Sequence, residues 1–188
     1  GVNRTLQWLD HFADNDVHAV GFGWVMLEDI GDAPSEITCE ELTHAFTDPL
    51  GPEAEEYFTR AAWLRGKDRD AVLDATYLVR PTVAVEDIKL ADAEAGMGFA
   101  DEALRITRTD GPRFSHTVDA GVLSLISGLH PNGLPLRDVV GLYAASQGVG
   151  VGAPEDVEKL EADAAAAVVD LVRHGLVLPA EIAQLTHL

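Results

Sequence analysis

The run Gly-Val-Gly-Val-Gly at residues 148–152 has the glycine spacing of a loop that cradles phosphate. Such a loop works where it leaves a strand and opens a helix, because the free N–H groups of the helix N-terminus then meet the phosphate. Here a predicted helix precedes the loop, and the next helix opens with Glu155 and Asp156, whose carboxylates repel phosphate. The pattern therefore favours a flexible connector over a cofactor loop, and no Walker motif occurs in the sequence.

Histidine, cysteine and carboxylate side chains are scattered rather than clustered. No two histidines are spaced as zinc ligands are, and Cys39 is the only cysteine, so the sequence predicts no zinc site. His18 lies in a predicted buried strand and is expected to be a hydrogen-bonded core residue. The adjacent carboxylates Glu40-Glu41 and Glu86-Asp87 would face opposite ways on strands, and no nucleophile elbow is present. We therefore assign no catalytic, cofactor-binding or metal-binding residue.

Two aromatic and two basic residues are the candidates for contacting a substrate or partner. Phe22 and Trp24 share one face of a predicted strand and would line a pocket, the alternative being packing beneath a helix. Arg105 and Arg113 fall on outward positions of a predicted hairpin. They would form a small basic patch, the alternative being ordinary surface.

The composition limits the classes of partner. The 188 residues carry 32 acidic and 13 basic side chains, a formal net charge of −19, and such a surface repels the phosphates of nucleic acids. An apolar content of 47% predicts a packed core, yet no apolar run approaches the ~20 residues of a membrane span. One cysteine allows no disulfide within the chain. We therefore expect a cytoplasmic protein that does not bind membranes.

Residues 17–29 are the stretch around which the sequence is organised. Both alternating faces of this stretch are apolar, which is typical of a strand that is covered on both sides. An amphipathic helix at 4–14 precedes it after a two-residue turn, and we predict a short antiparallel strand at 36–46. This order predicts the end of an α/β sheet whose earlier strands are absent.

The rest of the chain alternates helices and strands. A helix is predicted from Gly51-Pro52, where Pro at the first helical position and early acidic residues favour a helix start. A shorter helix is predicted near 69–77. A strand at 82–90 follows. A hairpin over 103–109 and 113–118 turns at Asp110-Gly111.

Three helices come next, at 120–127, at 136–146 and from 154 to 174, followed by a strand at 176–179. The hairpin, the three helices and the strand make a winged-helix-like pattern over about 103–179. The third helix, which such a domain would place in the DNA major groove, carries six carboxylates against Lys159 and Arg173. That balance argues against DNA reading by this helix.

Leu6 to Leu27 contains Trp-Leu-Asp-x-Phe followed by Val-x-Ala-Val-Gly-Phe-Gly-Trp-Val-x-Leu, of which Val17–Val25 is the most specific part. This motif resembles the late helix and strand of bacterial class I S-adenosylmethionine-dependent methyltransferases, of the group with an Asn-Pro-Pro-Tyr catalytic motif and an extra C-terminal domain. Weaker similarity continues at Val79-Arg80-Pro81, Val85-Glu86, Leu104–Arg108 and Val168–Pro179.

The resemblance implies the C-terminal portion of such an enzyme. No Asn-Pro-Pro-Tyr and no acidic-glycine-rich cofactor loop occurs in the sequence. In the family both lie earlier than the matched motif, and the start at Gly1-Val2 is expected of a piece of a longer protein. The implied fold class is α+β: terminal strands of an α/β methyltransferase sheet at 1–48, connecting helices and strand at 49–102, and a winged-helix-like domain at 103–188.

The implied function is an accessory region of a methyltransferase that acts on RNA, DNA or protein and is not active alone. S-adenosylmethionine is implied for the parent protein and not for this portion. The upstream catalytic domain of the same chain is the expected partner. The alternative is a non-catalytic winged-helix module that binds a protein or peptide.

Overall fold

The computed structural model describes residues 2–19, 21, 23–42, 44–149 and 154–185. The chain divides into two compact units, residues 1–36 and residues 37–188. Seven helices and five strands are described in all. One helix belongs to the first unit, and every described strand belongs to the second. The mixed α+β class expected from the sequence is confirmed.

The first unit contains helix α1 (Val2–Asp14), which confirms the helix predicted at 4–14. The helix closes where the N–H of Val17 donates to the carbonyl of Phe12 at 2.9 Å, and Asp16 takes a positive φ of 55°. Trp8 and Phe12, one turn apart, place their ring centroids 5.6 Å from each other.

The buried strand predicted over 17–29 is wrong in the part of that stretch that the structure describes. Residues 17–19, 21 and 23–29 are not a strand, and Val25 and Leu27 are 86% and 87% exposed. A strand exists only where a neighbour completes its hydrogen bonds, and no described strand pairs with this segment. The apolar residues of this segment are suited to burial, but no strand or helix that the structure describes covers Val25 and Leu27.

Residues 37–48, here called the strap, are the first residues of the second unit. The strand expected at 36–46 is absent from the described residues of that range. Instead the N–H of Thr47 donates to the carbonyl of Gly111 at 2.8 Å, and the ring of His44 bonds the carbonyl of Pro112 through Nε2 at 2.9 Å. The strap is thus held by single hydrogen bonds to the tip of a hairpin and not by a ladder.

Two helices open the body of the second unit. Helix α2 (Gly51–Leu64) has Pro52 in its first turn together with Glu53, as predicted. Helix α3 (Arg69–Leu73) is capped by Asp68, whose carboxylate accepts from the N–H of Ala71 at 2.8 Å. The sequence predicted this helix to run to 77, but the chain leaves it earlier to form a strand.

A three-stranded antiparallel sheet follows, in the order β2 (Val83–Ala91), β3 (Phe99–Arg108) and β4 (Ser115–Val118). The β3–β4 hairpin across Asp110-Gly111 is confirmed, with Leu104 opposite Val118. The β2–β3 pair is longer and shifts register at Ile88 and Lys89. Residue 102 and residue 103, assigned to different domains from the sequence, lie side by side in β3.

Three helices follow this sheet in the chain: α4 (Ala120–Ser127), α5 (Leu136–Ser146) and α6 (Pro154–Arg173). All three were predicted within a residue of these bounds. The buried stripe of α6 includes Ala164, Val168 and Leu171, and it joins Ile106 of β3 and Val140 of α5 in one hydrophobic core. The apolar periodicity of the sequence thus located the interior of the second unit.

The chain closes with β5 (Val177–Pro179) and helix α7 (Ala180–Leu185). Strand β5 pairs antiparallel with β1 (Tyr77–Val79), so that Leu78 lies opposite Leu178. The sequence did not predict β1 as a strand, because three residues carry too little alternation to be recognised. This two-stranded sheet joins the end of the chain to the segment before β2.

Candidate functional site

The residues predicted to contact a partner lie in different parts of the molecule. Phe22 falls outside the described residues, and Trp24 is an exposed residue of the first unit. Arg105 lies on β3 opposite Thr117, with its Nη1 3.7 Å from Glu86 Oε2 across the β2–β3 pair. Arg113 is exposed in the turn before β4, with a positive φ of 57°. The pairing of Arg105 with a carboxylate reduces the positive potential expected of the proposed basic patch.

Apolar side chains form the notable surface of the first unit. Leu6, Trp8 and Leu9 of α1 are each more than half exposed. In the segment after the helix, Val25 and Leu27 project almost fully into solvent. Isolated exposed apolar residues are common, but a run of them over one short unit is typical of a surface that binds another protein surface.

The densest polar constellation is a cluster of three buried arginines that the sequence analysis did not identify. Arg60, Arg80 and Arg108 are each less than 5% exposed. Glu53 accepts from Arg60 through one oxygen at 2.7 Å and from Arg108 through the other at 2.6 Å. Glu56 bridges Arg60 and Arg80 through a single oxygen, Oε1, which accepts from both guanidinium groups. The cluster therefore ties α2 to the segment after β1 and to β3.

The carbonyls at the end of α6 complete this arginine cluster. Nε of Arg80 donates to the carbonyl of Gly175 at 2.6 Å, and Nη2 of Arg60 lies 3.3 Å from the carbonyl of Arg173. A helix C-terminus carries unpaired carbonyls and a partial negative charge, so buried guanidinium groups are suitable partners. The cluster thus caps α6 from within the protein.

Arg108 and Asp110 have pKa values that are shifted in favour of their charged forms. Desolvation lowers the pKa of Arg108, but hydrogen bonds to Asp110 and Glu53 outweigh that cost and leave the pKa raised. Burial of Asp110 would raise its pKa, yet hydrogen bonds from Arg108 and Thr82 reverse the direction and lower it. Burial and the neighbouring Arg108 lower the pKa of Arg80. Each carboxylate of the cluster is paired with an arginine, so none is free to act as a general base. The cluster therefore stabilises the packing of the elements that it joins.

A second constellation is a chain of two histidines and a glutamate, here called the histidine chain. Nε2 of His116 on β4 lies 2.7 Å from Nδ1 of His174, and Nε2 of His174 lies 2.9 Å from Oε1 of Glu40 in the strap. Phe114 stacks on the His174 ring with centroids 4.1 Å apart. Desolvation, followed by the nearby His174, lowers the pKa of His116.

The histidine chain fixes the strap rather than forming a recognisable catalytic group. A carboxylate and an imidazole activate a hydroxyl or thiol when one lies at the far end. Here the far end is a second imidazole. His116 and His174 are 58 positions apart in the chain, which explains why spacing in the sequence did not reveal the pair.

The described residues contain no group of three or more histidine, cysteine or carboxylate side chains that could hold a metal ion. Residues 150–152 of the glycine run lie outside the described part of the chain. The described turns of α6 that follow begin with exposed Glu155 and Asp156. No helix that the structure describes is long and apolar enough to cross a membrane.

Comparison with known proteins identifies the family of this chain. A family described as a domain of unknown function (DUF7782) matches residues 55–179, the span that contains the three buried arginines, all three strands of the larger sheet and the whole of α6. No curated protein and no solved structure matches the chain. Because the match covers well over half of the sequence, the chain belongs to the DUF7782 family.

Proposed function

We propose that this chain is the non-catalytic accessory region of an S-adenosylmethionine-dependent methyltransferase that modifies RNA, DNA or protein. In this proposal the first unit contacts the catalytic domain. The second unit is the accessory domain, with a winged-helix-like order of elements from β3 to β5. S-adenosylmethionine belongs to the catalytic domain and not to this chain.

The observation that carries the proposal is the exposure of apolar side chains in the first unit. Val25 and Leu27 lie in the motif that resembles the late strand of a methyltransferase sheet, and both are almost fully exposed. Burying one such side chain contributes about 1.5–3 kcal/mol, so a neighbouring strand and helix would gain substantially by covering them. A catalytic sheet is the cover that the resemblance implies.

The second unit supports the non-catalytic part of the proposal. Its buried charges are engaged in the arginine cluster, and its histidine chain ends in a second imidazole. Glu155 and Asp156 oppose phosphate at the start of α6. These features suit a domain that supports or recognises a substrate and leaves the chemistry to its partner.

Isothermal titration of this chain with S-adenosylmethionine tests whether the cofactor binds only to the catalytic domain. We expect no saturable heat, and tight binding would overturn the proposal. Reading the coding sequence upstream of Gly1 is the matching genetic test, where an in-frame Asn-Pro-Pro-Tyr motif is expected. When the proposed catalytic domain is joined to this chain, the amides of residues 23–27 should exchange hydrogen far more slowly than in this chain alone.

A second candidate is a protein-binding or peptide-binding module with no link to methyl transfer. The acidic exposed face of α6, which includes Glu155, Glu158 and Asp163, favours a basic polypeptide over nucleic acid. This candidate gains if the upstream sequence lacks a methyltransferase domain. Salt-sensitive retention of the chain on duplex DNA would contradict it.

A further inference from the structure

The β2–β3 pair continues beyond the body of the second unit. Strand β4 pairs with β3 only over Leu104–Thr107, whereas β2 and β3 stay paired as far as Ala91 and Phe99. The last three residues of β2 and the first four of β3 are all exposed. Residues 88–102, here called the ribbon tip, are therefore a two-stranded hairpin with little cover from the core.

Large apolar side chains are concentrated on the ribbon tip. Met97 is 80% exposed and Phe99 is 74% exposed, and Leu90 is more than half exposed. Two-stranded ribbons are marginally stable in water, and exposed apolar residues on one add nothing to its stability. Their presence is explained if a partner covers them.

The ribbon tip is also acidic. It carries Asp92, Glu94, Asp101 and Glu102 against one basic residue, Lys89. The ammonium of Lys89 is engaged by Asp101 and by Asp87, the latter at 3.4 Å. Within the described chain neither Glu94 nor Glu102 forms an ion pair. The apolar residues are thus surrounded by negative charge.

The loop at the end of the ribbon has a defined conformation. The N–H of Asp92 donates to the carbonyl of Gly98 at 3.1 Å, which closes the loop. The carboxylate of Asp92 accepts from the N–H groups of Glu94 at 3.0 Å and Ala95 at 2.8 Å. Gly96 and Gly98 take positive φ values of 67° and 82°. Met97 is therefore presented between two glycines of a closed loop, and less conformational entropy is lost when it binds a partner.

We propose that the ribbon tip is a docking surface for a basic protein whose apolar cavity, rimmed by lysine and arginine, receives Met97 and Phe99. Glu94 and Glu102 face the cationic rim and set the orientation. Charge complementarity selects this occupant, because an acidic rim repels anionic lipid headgroups and nucleic acid. It repels a second copy of the same tip as well. The site lies in the second unit and does not depend on the methyltransferase proposal.

A nuclear magnetic resonance titration of the whole ¹⁵N-labelled chain tests the site. The probe is a synthetic peptide of alternating lysine and leucine, with a lysine–serine peptide and a glutamate–leucine peptide as matched controls. We expect the lysine–leucine peptide to shift the amides of residues 88–102 most. The lysine–serine peptide should bind the tip more weakly, and the glutamate–leucine peptide should not bind.

Two variants separate apolar docking from general attraction to an acidic protein. In M97S/F99S the affinity for the lysine–leucine peptide should fall by about tenfold or more, since two large apolar contacts are lost. The control L142S removes a side chain on α5 that is 62% exposed, and it should bind like the unchanged chain. E94K/E102K should weaken binding and reduce its salt dependence.

Several results would overturn the proposal. They are no binding by the lysine–leucine peptide, shifts that avoid residues 88–102, or equal losses in M97S/F99S and L142S. Binding of the tip to phosphatidylglycerol vesicles or to duplex DNA would replace the proposed partner with another class. Concentration-dependent dimers that M97S/F99S abolishes would assign the surface to a second copy of the chain.

Discussion

His116 and His174 share one hydrogen bond of 2.7 Å between Nε2 and Nδ1, which joins β4 to the residue after α6. Glu40 accepts only, so Nε2 of His174 carries a proton and, in the neutral pair, Nδ1 accepts from His116. With one extra proton on the pair, either ring can be the donor, and the hydrogen bond between the two rings is kept. When both histidines are protonated, Nε2 of His116 and Nδ1 of His174 each carry a hydrogen, and the hydrogen bond between them is lost.

This histidine pair makes stability depend on pH. The groups facing His116 are His174, Asp170 and Glu40, and the two strongest causes, desolvation and then His174, lower its pKa below the ordinary value of 6.5. A lowered folded pKa means that the unfolded chain binds the proton first. The stability contributed by neutral His116 is therefore complete above pH ~6.5 and is lost as the pH falls toward the folded pKa.

Urea unfolding between pH 5 and 8 measures this dependence. The free energy of unfolding should fall as the pH drops below about 6.5. In H116Q, which keeps a polar group without titrating, the fall should be smaller. H11Q, at an exposed histidine of the first unit, should retain the full dependence. An unchanged profile in H116Q would show that other groups cause the loss.

Among the glycines that the structure describes, Gly175 is the position least tolerant of a side chain. Its φ is +71°, and an added Cβ would lie 2.7 Å from Nη1 of Arg108 and 3.0 Å from Cζ of Arg60. The same residue ends α6, since Leu176 N–H donates to Leu171 at 2.9 Å. G175A should cost at least about 2 kcal/mol, combining backbone strain with displacement of buried guanidinium groups.

Chemical denaturation with a matched glycine provides the comparison for Gly175. Gly141 lies inside α5, and nothing would meet its added Cβ within 4 Å. G141A should leave stability unchanged or raise it by up to about 1 kcal/mol, because alanine favours helix. A similar loss in both variants would contradict the role assigned to the close packing around Gly175.

Local signals in the sequence were enough for most of the second unit. Pro52 with Glu53 starts α2, and Asp110-Gly111 turns the β3–β4 hairpin. Asp119 caps α4 by accepting from Val122 N–H at 2.8 Å, as predicted. Each signal acts within a few residues, so it survives without knowledge of the tertiary fold.

The features that sequence analysis missed depend on distant partners. Arg60 and Arg173 are 113 residues apart in the chain, and no spacing rule relates the two. Buried arginine is rare, and nothing in the sequence of α2 distinguishes Arg60 as a core residue. The strand predicted at 17–29 failed for a different reason: a local pattern was present, but its distant partner was not among the described residues. Its apolar alternation is real, but no described strand supplies the hydrogen bonds of a ladder.

The cap at Asp119 gives a local prediction. D119A should reduce stability by about 1 kcal/mol, because the N–H of Val122 loses its acceptor. Asp163 is an exposed residue inside α6, so D163A should be neutral or slightly stabilising. Thermal and urea unfolding of the two variants distinguish loss of a cap from loss of one negative charge. Equal effects in both variants would contradict the capping role.

The arginine cluster gives the largest expected effect. Glu53 offers one oxygen to Arg60 and the other to Arg108, and its side chain is nearly buried. E53Q leaves two buried guanidinium groups short of a negative charge, so the free energy of unfolding should fall by about 3–5 kcal/mol. E86Q, at a partly exposed pair with Arg105, should cost about 1 kcal/mol or less.

A double-mutant cycle shows whether the loss in E53Q comes from an uncompensated charge. Nη1 of Arg108 has no hydrogen-bond partner in the described structure, so this guanidinium is already less than fully satisfied. Replacing it in E53Q/R108M removes one of the two buried cations that the missing carboxylate had balanced. The double variant should therefore be more stable than the sum of the two single losses implies. Additive losses would mean that Glu53 and Arg108 contribute through separate packing, and the cluster would then not act as one electrostatic unit.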